Sequence, residues 1–189
     1  MHAAALMVRL GWVLLAVSLV VPAQASDAGF EILGVETRLT DGVYRLDARV
    51  ELDFSRSARR ALESGVAMPI LYRFRILRPR DYVWDEQVAE LNQRYRVEFH
   101  ALSQRYVVVN VNAGTGQAFS TLADALQSIQ TLHGFPLIDA ELLQAGRRYV
   151  GTMEVLLDSE ALPVPLRLQT WVNDAWRLDS EPYRWPLNP

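Results

Sequence analysis

NQRYRVEFHALSQRYVVVNV, residues 92–111, decides the fold. Tyr95, Val97, Phe99 and Ala101 fall on one side of a period-two pattern, and Arg94, Arg96, Glu98 and His100 fall on the other. Successive strand residues point to opposite faces, so this alternation builds a strand with one dry and one wet face. Ser103-Gln104-Arg105 breaks the pattern, and the β-branched run from Tyr106 to Val111 follows. The spacing predicts an antiparallel hairpin whose second strand is buried on both faces, at the centre of a sheet.

The residues before it read in the same way. Phe30–Leu39 and Val43–Phe54 form a hairpin around Thr40-Asp41-Gly42, because Asp-Gly supplies the positive-φ positions of a tight turn. In its second strand Tyr44, Leu46, Ala48, Val50, Leu52 and Phe54 oppose Arg45, Asp47, Arg49, Glu51 and Asp53. Gly34 interrupts the first strand and marks a bulge. Ser55 or Ser57 caps a short helix over residues 56–64, with Gly65 as its stop. Ile70–Leu77 sets Tyr72, Phe74 and Ile76 against Arg73 and Arg75, and Pro79 ends it. Tyr82 to about Val88 reads as an edge strand, with a helical turn as the alternative at Val88 and Leu91.

On the C-terminal side, residues 112–117 read as a loop. Thr121-x-x-Asp124 resembles a capping box, and Leu122, Ala125, Leu126, Ile129 and Leu132 share one helical stripe. Together they predict a substantial helix over about residues 120–133, closed by Gly134 and Pro136, with His133 in its last turn. Tyr149–Asp158 returns to strand. The prolines of Leu162-Pro163-Val164-Pro165-Leu166 predict an extended segment, and Trp176–Trp185 predicts a last strand that Pro182 confines to an edge. About eight hairpin-linked strands with one substantial helix make an antiparallel β-sandwich, with a curved sheet wrapped on the helix as the alternative.

Composition bounds location and chemistry. Arg9, the apolar run Leu10–Val21 and Pro22-Ala23-Gln24-Ala25 read as a signal peptide over residues 1–25, cleaved after Ala25. An uncleaved anchor is the alternative. Residues 26–189 then form one periplasmic domain with no further segment apolar enough to cross a bilayer. There are no cysteines, which excludes disulfides, thiol catalysis, thiolate metal ligands and lipid attachment through cysteine. All 19 basic residues are Arg; removing Arg9 leaves 18 against 22 acidic residues, a formal −4 that argues against a nucleic-acid partner.

Catalytic signals are sparse. Glu98-x-His100 places a carboxylate and an imidazole on one strand face, the makings of an acid–base pair or of two metal ligands in a hydrolase. No third partner lies nearby in the sequence, so no catalytic residue and no metal site is assigned. Gly114-Thr115-Gly116 lacks the lysine and third glycine of phosphate loops, and no cofactor is expected. Binding candidates are stronger. Arg45 and Arg49, Arg73 and Arg75, and Arg94 and Arg96 would form an anion-reading face on neighbouring strands, with Arg73, Arg75, Arg94 and Arg96 as the site candidates, but cross-strand pairing with Asp47, Glu51 and Glu98 is the commoner arrangement. Trp84, Trp171, Trp176, Tyr183 and Trp185 line a groove or plug the core, and the core is the commoner role.

A signal peptide, an N-terminal hairpin, Leu162-Pro163-Val164-Pro165-Leu166, Trp176-Arg177-Leu178-x-Ser180 and Tyr183-Arg184-Trp185-Pro186-Leu187 together resemble the DUF4390 family. These are exported proteobacterial proteins of uncharacterised function, sometimes labelled proline-rich signal peptide proteins. The resemblance covers the mature chain and carries over no site residue. It implies an envelope protein partner, a membrane sensor histidine kinase, because members are often encoded near one. The sequence thus points to a non-catalytic interaction module, with a binder of lipid, glycan or peptide as the alternative.

Overall fold

A computed structural model of the chain describes residues 28–167 and 174–187. Among them nine strands form: β1 (Phe30–Thr40), β2 (Val43–Leu52), β3 (Met68–Arg78), β4 (Glu86–His100), β5 (Arg105–Asn110), β6 (Thr115–Phe119), β7 (Thr131–Asp139), β8 (Tyr149–Leu157) and β9 (Tyr183–Leu187). Two antiparallel sheets result, one in the order β1-β2-β7 and one in the order β6-β5-β4-β3-β8-β9. Helices α1 (Arg56–Glu63) and α2 (Leu122–Gln127) connect them, and residues 164–167 are also helical. The mainly β, two-sheet architecture expected from the alternation is the one that forms.

Local chemistry explains the connections. Asp41 and Gly42 both take positive φ, 51° and 75°, and close the β1–β2 hairpin in two residues. Ile32 faces Val50 and Gly34 faces Arg49, so Leu33 is the extra residue of the bulge. Ser55 caps α1 by accepting from the Ala58 N–H at 3.2 Å, and its hydroxyl donates to the Ala175 carbonyl. Thr121 caps α2 by accepting from the Asp124 N–H at 3.1 Å, while its hydroxyl donates to the Asp124 carboxylate at 2.7 Å.

The inner faces of the sheets share one core. Leu46, Ala48 and Val50 of β2 join Ile70, Tyr72, Phe74 and Ile76 of β3 and Met153 and Val155 of β8. Phe74 stacks on Phe135 of β7 with ring centroids 5.0 Å apart. The Tyr72 hydroxyl donates to the Ile129 carbonyl at 2.6 Å, and burial pushes its phenol well above the ordinary value of 10. It therefore stays protonated and satisfies a carbonyl that would otherwise be stranded in the core.

The C-terminal segment seals β8. The Leu157 N–H donates to the Leu178 carbonyl, and Val155 and Ser180 exchange bonds through the Ser180 backbone and hydroxyl. β9 continues that edge, with Trp185 opposite Gly151. Trp176, Leu178, Trp185 and Leu187 are all buried. Two of the motifs behind the family resemblance therefore sit where a strand edge and the core are closed together.

Six expectations change, among them the last strand: expected over Trp176–Trp185, it spans only Tyr183–Leu187, and Asp174–Trp176 forms a single helical turn. β5 lies second from the sheet edge, only Val108 of it is buried, and the central strands are β4 and β3. The helix expected to residue 133 starts at its Thr121 cap but ends at Gln127, and residues 131–139 become β7. Ala125, Leu126, Ile129 and Leu132 are buried as the stripe required, but β2 has an unpaired edge whose N–H and C=O groups need partners. β7 supplies them, beginning with the Val50 N–H on the Gln130 carbonyl at 2.8 Å. The loop expected over 112–117 ends early, and β6 pairs with β5 from Thr115. Residues 164–167 are helical although two prolines predicted extension; both fall at the helix start, where no N–H is needed. Tyr82–Trp84 is a loop, and β4 begins only at Glu86.

Candidate functional site

The outer face of the three-stranded sheet is occupied by structural duties. β7 shifts register against β2 on both sides of Arg45 and Leu46, which leaves the Gly134 peptide groups outside the ladder. Asp47 accepts from the Gly134 N–H at 2.9 Å and Arg45 donates to the Gly134 carbonyl at 3.1 Å. Arg38 pairs with the other Asp47 oxygen, and His133 stands 3.7 Å away. The Gly134 hydrogen bond, reinforced by Arg38 and His133, holds the Asp47 carboxyl below its ordinary 3.8. A depressed carboxylate stabilises the fold above its unfolded value, and that stability is lost as pH falls through the folded value. Denaturant midpoints of the wild type are expected to fall below about pH 4, and the fall is expected to be shallower in Asp47→Asn. Parallel acid limbs would contradict this assignment.

The four arginines share the outer face of the six-stranded sheet, and each meets a carboxylate. Arg73 faces Glu154 in register, with Nη1 3.4 Å from its carboxylate, and Arg75 pairs with the other oxygen. Arg94 Nε lies 3.7 Å from Asp158, and Arg96 pairs with Glu98. Of the expected cross-strand partners, Glu98 serves Arg96 along the same strand, whereas Asp47 lies on the other sheet. The second Glu98 oxygen is 3.3 Å from His100 Nε2. Burial opposes ionisation of Glu98, but hydrogen bonds from Arg96 and His100 outweigh it and lower its carboxyl below the ordinary range. Among the described residues no three His, Asp or Glu side chains are grouped to hold a metal ion.

The β3–β4 connection differs from everything around it. Arg78 and Glu86 form the last register pair, and Arg78 and Arg80 both reach the Glu86 carboxylate. The Arg80 and Arg78 hydrogen bonds keep that carboxyl below its ordinary range. On the far side Arg184 stands 3.4 Å from Asp85. These pairs grip the base of the loop, and at its tip Tyr82, Val83 and Trp84 are 105%, 61% and 93% exposed. Tyr82 also holds φ at 69°, a left-handed conformation that costs a bulky residue about 1–3 kcal/mol.

The aromatic candidates therefore divide. Trp176 and Trp185 are core, Tyr183 is half-buried against it, Trp84 stands in solvent, and Trp171 lies outside the described residues. Sequence reading missed Tyr82 and Val83 by assigning them to a strand. The signal available was Pro79 and Asp81, two turn formers placed between Arg78 and Glu86.

Two depressions flank these features. One of about 540 Å³ is lined by Phe30, Ile32 and Tyr183 and by the carboxylates of Glu31, Glu51, Asp53 and Glu181. One of about 190 Å³ lies beside Arg94 and Arg96, against Pro69, Val111 and Ala161. No helix among the described residues is long and apolar enough to cross a membrane. The family described as a domain of unknown function, DUF4390, matches residues 27–186. No curated protein and no solved structure matches the chain.

Proposed function

The chain belongs to the DUF4390 family, a domain of unknown function, and from that premise we propose that it is an exported, non-catalytic protein-interaction module of the cell envelope. The exposed tip Tyr82-Val83-Trp84 carries this reading. Trp, Tyr and Arg dominate interface hot spots, and here two aromatics project from a base built of Arg78, Arg80 and Arg184. The complementary partner is a protein with a pocket for an aromatic side chain.

Export is supported by the apolar run Leu10–Val21 and the small-residue pattern ending at Ala25, and in this reading the domain works in the periplasm. The family resemblance makes the outer portion of a membrane sensor kinase the first partner to test. In this reading Arg73, Arg75, Arg94 and Arg96 hold the sheet face together with their carboxylates. A small-ligand role at the four arginines has less behind it, and the larger depressions, of about 540 and 550 Å³, are lined by other residues. The depression beside Arg94 and Arg96 is about 190 Å³, short of the roughly 300–1,000 Å³ of sites that enclose a ligand.

The test is recovery of envelope partners after crosslinking in living cells, with the tag behind the intact leader. Changing Tyr82 and Trp84 together to alanine is expected to cut recovery at least tenfold, since a hot spot is worth about 2 kcal/mol or more. Arg73→Gln with Arg96→Gln is expected to leave it within about twofold, because in this reading these side chains bind their own carboxylates and not the partner. A folded tip variant that recovers every partner at the wild-type level would sink the proposal.

A further inference from the structure

An open sheet edge presents unpaired N–H and C=O groups, and proteins blunt such edges with prolines, charges and bulges. Among the described residues four strands stand at sheet edges: β1, β7, β6 and β9. β1 carries the bulge at Leu33 and the charges Glu31, Glu36 and Arg38. β7 carries Pro136 and two register shifts. β9 carries Arg184 and Pro186 and follows Pro182. β6, Thr115-Gly116-Gln117-Ala118-Phe119, carries none of these devices, and its first four residues are exposed.

The edge is also regular. β6 pairs with β5 through five consecutive residues without a shift. Its turn is pinned to β4: the Val111 N–H donates to the Arg94 carbonyl at 2.9 Å, and the Asn112 amide bonds the Arg94 N–H and the Asn92 carbonyl at 2.8 and 2.9 Å. Asn112 thereby extends the ladder with side-chain groups where β5 has ended. Beside the edge, Gly116 and Ala118 alternate with Val109 and Val107 across the strand pair. A Cβ on Gly116 would stand 3.8 Å from the Val108 carbonyl oxygen and the Val109 side chain and 3.9 Å from the Val107 side chain, ordinary contact distances, so the two valines flank the glycine closely and it admits a small apolar group.

We propose that the β6 edge receives an extended segment of another protein as a seventh strand, with small or branched apolar residues at alternate positions lying over Val107, Val109 and Ala118. The proposal rests on the interaction-module reading and gives it a second contact. Main-chain bonds would supply affinity and the strip would supply selection. A second copy of this chain is the poorer occupant. Two five-residue strands paired edge to edge fall well short of the roughly 1,200–2,000 Å² that a stable interface buries. The edge suits a partner that brings further contacts.

The experiment places a photo-crosslinking residue at Gln117 of the full chain in cells and sequences the adduct. The crosslinked segment is then made as a synthetic peptide and added to the mature protein. The expected result is slowed hydrogen exchange at residues 115–119 and at least tenfold weaker peptide binding in Ala118→Lys, whose melting temperature is unchanged. If a probe at position 84 gives an adduct and the one at 117 gives none, the edge proposal fails and the interaction reading stands. Silence at both positions removes both. An adduct to a second copy of this chain, or a peptide that binds without protecting β6, overturns the edge proposal as stated.

Discussion

Trp185→Ala is expected to destabilise the fold by about 3–5 kcal/mol, the range for deleting a buried aromatic side chain. The indole is 6% exposed and lies over Gly151, its register partner on β8. A Cβ on Gly151 would meet Trp185 Cε2 and Cζ2 at 2.3 Å, so the ring occupies the volume that any side chain at 151 would need. Gly151→Ala should therefore cost about 1–3 kcal/mol by overpacking. The two changes should not add: in the Trp185→Ala background the extra methyl fills vacated space, and Gly151→Ala should cost little or help. The buried Trp185 Nε1 has no hydrogen-bond partner among the described residues. Trp185→Phe removes that donor and should cost less than Trp185→Ala. A denaturant double-mutant cycle reads all of this; additive losses would mean that the ring and the glycine are not coupled.

Phe74→Ala is the second large effect, again about 3–5 kcal/mol. Phe74 is fully buried on the central strand β3, and its ring stacks on Phe135 of the opposite sheet at 5.0 Å and 27°. Removing it opens a void between the sheets, and packed interiors do not close such voids fully. Phe135→Ala should cost less, because Phe135 is only partly buried. Leu142, 65% exposed, is the control, and Leu142→Ala should stay within about 0.5 kcal/mol. Equal losses at Phe74 and Leu142 would contradict a core shared by the two sheets.

What the sequence made legible was local. The Asp41-Gly42 turn, the Gly34 bulge, the Ser55 and Thr121 caps and the alternation of β2 and β4 are each set by a few adjacent residues, and each forms where expected. What it hid depends on distant partners. The stripe from Leu122 to Leu132 marks the buried residues correctly, yet the backbone turns to strand because β2, some eighty residues earlier, offers an unpaired edge. Gly151 reads as a weak point in a strand until β9 lays Trp185 across it. Arg73, Arg75, Arg94 and Arg96 share one face, but Arg45 and Arg49 lie on the other sheet, and Glu154 and Asp158 as partners follow only from the order of β4, β3 and β8. Trp84 is a candidate in the sequence by residue type alone; its exposure appears only with the fold, at the tip of a loop whose base holds Arg78 and Arg80 on Glu86.

The claim that the aromatic tip is where a partner sits is tested most directly at Trp84 itself. A photo-crosslinking residue at position 84 of the exported full chain should give one discrete adduct with a single envelope protein in living cells. The same probe at exposed Leu142, on a different connection, should give none. Identical adducts at both positions, or none at 84 in a folded and exported protein, would contradict the account.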